Sequence, residues 1–337
     1  MNIIAYRLPN EEEVFYYTAG NIEKVNFCPS ENGLSCRIIT PKAYIVSPFI
    51  TSRGFFQYPL CQRIGKIPQD IIGCNNINRK FREINKMEYA SYIDSIIRFI
   101  GHDESKKIVA SRRFTIPFSQ DINLLFDNLC TNYPDAFVFF ISTKDFGSWI
   151  GASPELLLER KGNILSTMSL AGTRSVGIDG AWDTKNIKEQ EIVTEYLINI
   201  FRSYGLKPSI ISKGTRRAGN IEHLMTQIES LISQDLNIYS LLKTLSPTPA
   251  LSGFPKEAAI KIINKIEGDR SLYGGFMGPI YSNGDFRMNV VLRCAFLSPN
   301  SATLFAGGGI TYLSEPESEW IETEKKLDTI RRILQLF

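Results

Sequence analysis

The sequence predicts a mixed α and β domain, on three observations. Short runs rich in β-formers and bounded by turn residues recur along the chain, several windows carry apolar residues at helical spacing, and Asn283-Gly284 stands between two strand-like runs. The last is a strong hairpin signal, because both central residues of a type I′ turn need positive φ.

Residues 1–85 contain strand-like runs at 14–18 and 43–50, broken by Pro and Gly, and show no chemistry of their own. Met87, Ala90, Ile93, Ile97 and Ile100 then recur at helical spacing. Residues 107–116, 137–142 and 147–160 follow as β-rich segments, and further helices are expected over 187–204, 255–266 and 317–336. Without repeats, low-complexity tracts or an obvious linker, one composite domain over 1–337 is the simpler partition.

Composition limits the function classes. Lys and Arg number 38 against 35 Asp and Glu, with no block of like charge suited to a phosphate backbone, so no nucleic-acid partner is expected. Asn2, Arg7 and Pro9 interrupt the amino terminus, which therefore lacks a signal-peptide core, and no run approaches the ~20 apolar residues that span a bilayer. The expectation is a cytoplasmic protein away from membranes. The six cysteines form no C-x-x-C pair and fit reduced, buried thiols better than a zinc site.

Four polar features conflict with plain packing. Glu189 opens the stripe Val193, Tyr196, Ile200 and Tyr204 of a predicted helix, either as a solvated first-turn residue or as a carboxylate turned into a polar cavity. Glu319, Glu322 and Lys326 stack on one face of the last helix, away from Trp320, Leu327, Ile330 and Leu334, as surface charge or as a functional face. Carboxylates from two helices facing one cavity would suit Mg²⁺, which takes oxygen ligands.

Arg293 alternates with Val291 and Ala295 in a strand expected over 286–296, where an arginine calls for a buried anion. The following run, Ala306-Gly-Gly-Gly309, is either a tight turn or a loop whose bare N–H groups cradle a second anion. Lys107 begins a strand on the side of Val109, with Lys106 on the other side. Desolvation disfavours an ammonium, so a lysine in apolar surroundings becomes usable as a base; a frayed strand end is the alternative.

Seven segments carry a resemblance: Gly151-Ala-Ser-Pro-Glu155, Leu170-Ala-Gly-Thr-Arg174, Pro247-Thr-Pro-Ala-Leu-Ser-Gly-Phe-Pro255, Tyr273-Gly-Gly-Phe-Met-Gly278, Leu292-Arg-Cys-Ala295, Ala306-Gly-Gly-Gly-Ile310 and Glu319-Trp-Ile-Glu-Thr323. In this order they resemble the chorismate-utilising enzymes, which include isochorismate, salicylate, anthranilate and aminodeoxychorismate synthases. The likeness covers residues 105–330, while 1–100 matches weakly.

The resemblance implies an α+β fold of two large, mostly antiparallel sheets in a sandwich flanked by helices. It implies Mg²⁺ held by Glu189 and Glu322 with Glu319 adjacent, and chorismate contacted by Arg293, Lys326, Thr173, Thr248, Ala250, His223 and the backbone of Gly172, Gly308 and Gly309. His223 is alternatively structural. Lys107 matches the family's base and Glu155 its acid, a pair that suits water attack at C2 with loss of the C4 hydroxyl.

Aminodeoxychorismate synthases commonly carry a nucleophilic lysine where this chain has Ala171, and anthranilate synthases usually have an amide where Lys107 stands. The expectation is therefore an isochorismate synthase without a glutaminase subunit. A salicylate synthase and a non-catalytic chorismate-binding relative are the alternatives. Ser246 and Gln190 depart from the family pattern, each replacing a usual histidine.

Overall fold

The computed structural model describes residues 1–25, 42–51, 54–77, 79–103, 106–119, 121–178, 180–219, 221–232 and 236–334; Cys28 and Cys36 lie outside them. Strands and helices are numbered along the chain.

Two antiparallel sheets form the body. In the first, β5 (Phe55–Arg63) is followed in space by β2 (Val14–Ala19), β1 (Asn2–Arg7), β7 (Phe137–Thr143), β8 (Gly147–Ser153), β16 (Cys294–Ser298), β17 (Ser301–Ile310), β6 (Lys107–Pro117) and β13 (Gly253–Phe254). The second runs β3 (Glu23–Val25), β5, β4 (Lys42–Ser47), β14 (Phe276–Tyr281), β15 (Phe286–Val290), β9 (Leu156–Lys161), β10 (Ile164–Ser175), β12 (Ile221–Leu231) and β11 (Ser209–Ala218). β5 belongs to both sheets, because Gln57 pairs with Ile45 and Glu23 while Arg63 pairs with Tyr17.

Strand alternation sorts the side chains into layers. Ile4, Tyr6, Phe139 and Phe305 of the first sheet meet Tyr44, Val46, Tyr58 and Met277 of the second in a shared core. The opposite face of the first sheet, with Ile3, Val138, Phe140 and Leu304, lies under α3 (Ile122–Asn132) and α7 (Pro316–Leu334). On the outer face of the second, Leu158, Leu165 and Ile228 lie under α4 (Thr184–Ser203) and α5 (Ile238–Leu245). α2 (Lys86–Ile100) and α6 (Lys256–Glu267) close the end where β6 begins, and the single turn α1 (Ile71–Cys74) packs on the first sheet. No helix of the described residues is long and apolar enough to cross a membrane.

Local chemistry accounts for the helix starts. Asn85 and Glu88 form a reciprocal capping box at α2, and the Asp183 carboxylate accepts from the Asn186 N–H at α4. The buried stripe of α4 is Asn186, Glu189, Gln190, Val193, Leu197 and Phe201. The expected Tyr196, Ile200 and Tyr204 are only partly buried beside it, so the stripe is rotated while Glu189 still opens it. On α7, Leu327, Ile330 and Leu334 are buried as expected, and Glu319 is buried with them.

Two strand expectations and one turn type are corrected. Residues 147–160 divide into β8 and β9, because the chain passes from one sheet to the other at Pro154-Glu155. Residues 286–296 divide into β15 and β16 for the same reason, and Arg293 takes φ 46° in the crossing instead of alternating with Val291 and Ala295. A hairpin does form at Asn283-Gly284, but only Gly284 has positive φ (83°), so its turn is not type I′.

The glycine run is corrected as well. It is no loop but part of β17, with Gly307, Gly308 and Gly309 paired to Ser111, Ala110 and Val109 of β6.

Candidate active site

The two crossings are neighbours, and each delivers one charged side chain. The Glu155 backbone carbonyl accepts from Val290 N (3.1 Å) and Asn289 Nδ2 (3.2 Å), while the Arg293 carbonyl accepts from Ala152 N at 3.1 Å. Gly151 permits the contact, since a Cβ there would lie 2.8 Å from the Arg293 oxygen. Both side chains are turned inward and buried.

Burial pushes the Glu155 carboxyl up to about 8, despite the opposing cations of Lys107, Arg293 and Lys326. Its Oε1 has no hydrogen-bond partner. Thr248 lies close enough to pull this titration down slightly, although its own hydroxyl forms no well-shaped bond. Arg293 makes no ion pair described among these residues, and its Nε is buried without a partner. A buried guanidinium in that condition can pair with an anion.

His223, on β12, has one defined tautomer. Its Nδ1 lies 2.7 Å from the Gly172 carbonyl oxygen, which can only accept, and its Nε2 lies 2.9 Å from Arg293 Nη2, which can only donate. The ring therefore carries its proton on Nδ1 and accepts at Nε2. Burial, reinforced by Arg293 and Lys326, pushes the imidazole down to about 3, so it is neutral. The Gly172 carbonyl is available because β10 shifts register between Ala171 and Arg174, with Gly172 at φ 68° and Thr173 N donating to Asn186 Oδ1 at 2.8 Å.

Opposite stand the carboxylates. Lys107, fully buried, forms an ion pair with Glu189, its Nζ 2.9 Å from Oε1 but off the best hydrogen-bonding direction. Its surroundings are thus acidic, not the apolar environment expected. Burial alone would raise Glu189, but Lys107 and Lys185 outweigh it and hold the carboxyl below its ordinary range.

Lys326 donates to Gly307 O (2.8 Å) and Glu322 Oε1 (2.7 Å). Against the upward push of burial, Lys326 and Lys185 hold Glu322 low. Glu319 is pushed up by burial and by Glu322, and its Oε2 is buried without a partner.

The glycines of β17 clear this space. A Cβ on Gly308 would meet Glu319 Oε2 at 2.7 Å, and one on Gly309 would meet Glu189 Oε1 at 2.2 Å and Lys107 Cε at 2.6 Å. Their role is absence of bulk, which a turn-based explanation of the run does not capture.

Glu155, Gly172, Thr173, Glu189, His223, Ala250, Arg293, Gly309 and Lys326 all line one narrow cleft with a cavity volume of about 50 Å³. Thr248 and Lys107 adjoin it through Glu155 and Glu189. Glu319 and Glu322 line the adjoining chamber instead, which Thr173 shares. Val109, Leu170, Leu292 and Tyr273 add an apolar wall that spacing did not reveal.

Lys185 was also missed; its i, i+4 relation to Glu189 was the available signal. Gln190, which departs from the family pattern, donates to Ser169 Oγ at 2.8 Å and Thr226 Oγ1 at 3.3 Å beneath the cleft.

The chain is similar to known proteins in sequence and in fold. The chain is 34% identical over 249 residues to the isochorismate synthase EntC of Escherichia coli (strain K12), an alignment covering 68% of this chain and 62% of that protein. It is 28% identical to anthranilate synthase component 1 of Saccharolobus solfataricus, covering 74% of this chain and 62% of the relative. It thus spans under two thirds of either relative's length.

Among solved structures, a Bacillus anthracis chain assigned as a 2,3-dihydroxybenzoate-specific isochorismate synthase, DhbC, superimposes with TM-score 0.82 at 25% identity, covering 100% of this chain and 97% of that one. The family model for chorismate binding enzymes matches residues 63–332, and the chain belongs to that family.

Proposed function

We propose that this chain is an isochorismate synthase, converting chorismate to isochorismate with Mg²⁺ as cofactor. The carrying observation is that a buried carboxyl that keeps its proton up to about pH 8, Glu155, lines the cleft that a buried lysine, Lys107, adjoins through Glu189. Water addition at C2 needs a base, and departure of the C4 hydroxyl needs an acid that still holds its proton at neutral pH.

In this scheme Lys107 acts as the neutral amine, its ammonium proton having passed to solvent, and takes a proton from water as the water oxygen bonds to C2. The ring π electrons shift, the C4–oxygen bond breaks, and Glu155 delivers its proton to the departing oxygen. One water enters and one leaves, so the product is an isomer. Arg293, oriented by His223, clamps one substrate carboxylate, and Lys326 supplies a second positive charge.

The donor set fits Mg²⁺, which takes oxygen ligands: Glu189, Glu319 and Glu322 face one glycine-cleared space, and Glu319 Oε2 is an orphaned buried acceptor. Among the described residues no three His, Cys, Asp or Glu side chains stand close enough together to hold a metal ion as they are, so these carboxylates would have to draw inward around it. Glu189 and Glu322 would hold the ion with Glu319 beside them, and a bound Mg²⁺ would fix and neutralise a substrate carboxylate. The four described thiols are free, but only Cys294 is buried while Cys61 and Cys74 are exposed, which corrects the expectation of buried thiols.

The test is incubation with chorismate and MgCl₂, followed by chromatographic separation of isochorismate, salicylate and anthranilate. Isochorismate as the accumulating product supports the proposal; salicylate or anthranilate in its place, or unconsumed chorismate, overturns it.

A further inference from the structure

Between the cleft and the adjoining chamber stands Lys185, on the first turn of α4, a group with no part in the chemistry above. Its Nζ lies 3.0 Å from Glu319 Oε1, 3.6 Å from Glu189 Oε2 and 4.0 Å from Glu322 Oε2. One ammonium therefore sits among all three carboxylates proposed to face the metal. We infer that Lys185 is a tethered stand-in for the divalent cation, which fills the seat while the metal is absent and must withdraw for the metal to enter. The inference rests on the proposed Mg²⁺ site.

Charge and geometry support it. The three carboxylates are matched by three ammoniums, Lys107, Lys185 and Lys326, so a dication entering the substrate-free site meets no excess negative charge. Lys107 is sealed in at 0% side-chain exposure, and Lys326 is tied to the Gly307 carbonyl. Lys185 is 17% exposed and lines the outer chamber of about 420 Å³ together with Asp183 and Glu315, so it has both space and acidic company to withdraw toward.

The spacing is also that of an ammonium. Mg²⁺ takes oxygens at about 2.0–2.1 Å, so distances of 3.0 to 4.0 Å describe a seat propped wider than the metal requires. The carboxylates would close inward when the ammonium leaves.

Removing the stand-in has two opposite effects. Without metal, three carboxylates face one another with one cation fewer, so the apoprotein loses stability; with metal, no ammonium has to be displaced, so affinity rises. The experiment titrates MgCl₂ alone into EDTA-stripped wild-type, Lys185→Gln and Lys185→Arg full-length chains, reading Kd by calorimetry and Tm with and without Mg²⁺. Lys185→Gln should bind Mg²⁺ about tenfold more tightly or better, equivalent to about 1.4 kcal/mol. It should also melt lower than wild type in EDTA and gain more from Mg²⁺, while Lys185→Arg stays near wild type.

Lys185→Met, read in the same way, replaces the Gln variant if that chain does not fold. Unchanged or weaker Mg²⁺ binding by the neutral variant overturns the stand-in role while leaving the metal site intact. Absence of Mg²⁺ binding by wild type and variants alike overturns the metal site and the inference with it.

Discussion

Arg293 Nη2 donates to His223 Nε2 across 2.9 Å, and the Gly172 carbonyl fixes the other side of the ring, so a neutral imidazole aims a buried guanidinium. His223→Leu removes the acceptor and leaves Arg293 free to rotate. KM for chorismate should rise about tenfold or more while kcat changes less, since a hydrogen bond to a charged group contributes about 1.5–3 kcal/mol. Because burial holds the imidazole down to about 3, KM should show no histidine limb between pH 5 and 9. A limb near pH 6.5 that disappears in the variant would contradict a histidine held neutral by burial.

Gly309 is a test of space alone. Its Cβ would lie 2.2 Å from Glu189 Oε1, whereas nothing lies within 4 Å of a Cβ on Gly65. Gly309→Ala should lose at least about 10² in kcat/KM, the order of loss that slight misplacement of reacting groups brings. Gly65→Ala should behave as wild type. Steady-state assays on both chains decide it, and a fully active Gly309→Ala would mean that the carboxylate is free to stand elsewhere.

Glu155 carries a signed pH dependence. Burial raises this carboxyl to about 8, so it keeps its proton at neutral pH and loses it as pH rises through that value. An acid that has lost its proton cannot assist the leaving hydroxyl, so kcat should decline above about pH 8. Glu155→Gln keeps the shape without a transferable proton, so kcat should fall by roughly 10² or more and the alkaline limb should vanish. A variant that lost affinity for chorismate but retained kcat would indicate a binding role.

Periodicity located Glu189, Glu319, Glu322 and Lys326 because helical phase is a local property: once an apolar stripe is found, residues three and four apart are placed with it. Arg293 was found for the wrong reason. Alternation assumes a continuous strand, yet β15 and β16 lie in different sheets, and only tertiary pairing shows where the chain crosses. The glycines misled in a related way, since missing side chains suggest a turn when the cause is Glu189, Lys107 and Glu319 approaching from other elements. Lys185 was not identified at all, because its significance lies in three carboxylates converging from two helices.

Metal dependence follows from the carboxylate set. EDTA should abolish turnover and MgCl₂ restore it, and Glu322→Gln should raise the Mg²⁺ concentration for half-maximal activity by about tenfold or more, an order-of-magnitude expectation for losing a charged ligand. The same substitution removes the carboxylate that accepts from Lys326 at 2.7 Å, so KM for chorismate should change as well. Full turnover in metal-free buffer would remove Mg²⁺ from the scheme.

Lys107 separates the proposed chemistry from mere binding. It is fully buried at the start of β6, paired off-axis with Glu189, whereas its neighbour Lys106 is 32% exposed and pairs with Asp103 at 3.3 Å. If Lys107 removes the proton from attacking water, Lys107→Ala should still bind chorismate, because Arg293 and Lys326 are untouched, yet form almost no isochorismate. Lys106→Ala should be nearly normal, since an exposed ion pair contributes little. Lys107→Ala also strips Glu189 of one of its two cations, so the assay requires saturating Mg²⁺ to separate lost metal binding from lost chemistry. Measuring isochorismate formation by both variants under that condition, beside chorismate binding by calorimetry, decides between the roles. Equal activity of the two would remove the base from the scheme, and with it the ground for preferring water over an amine as the nucleophile.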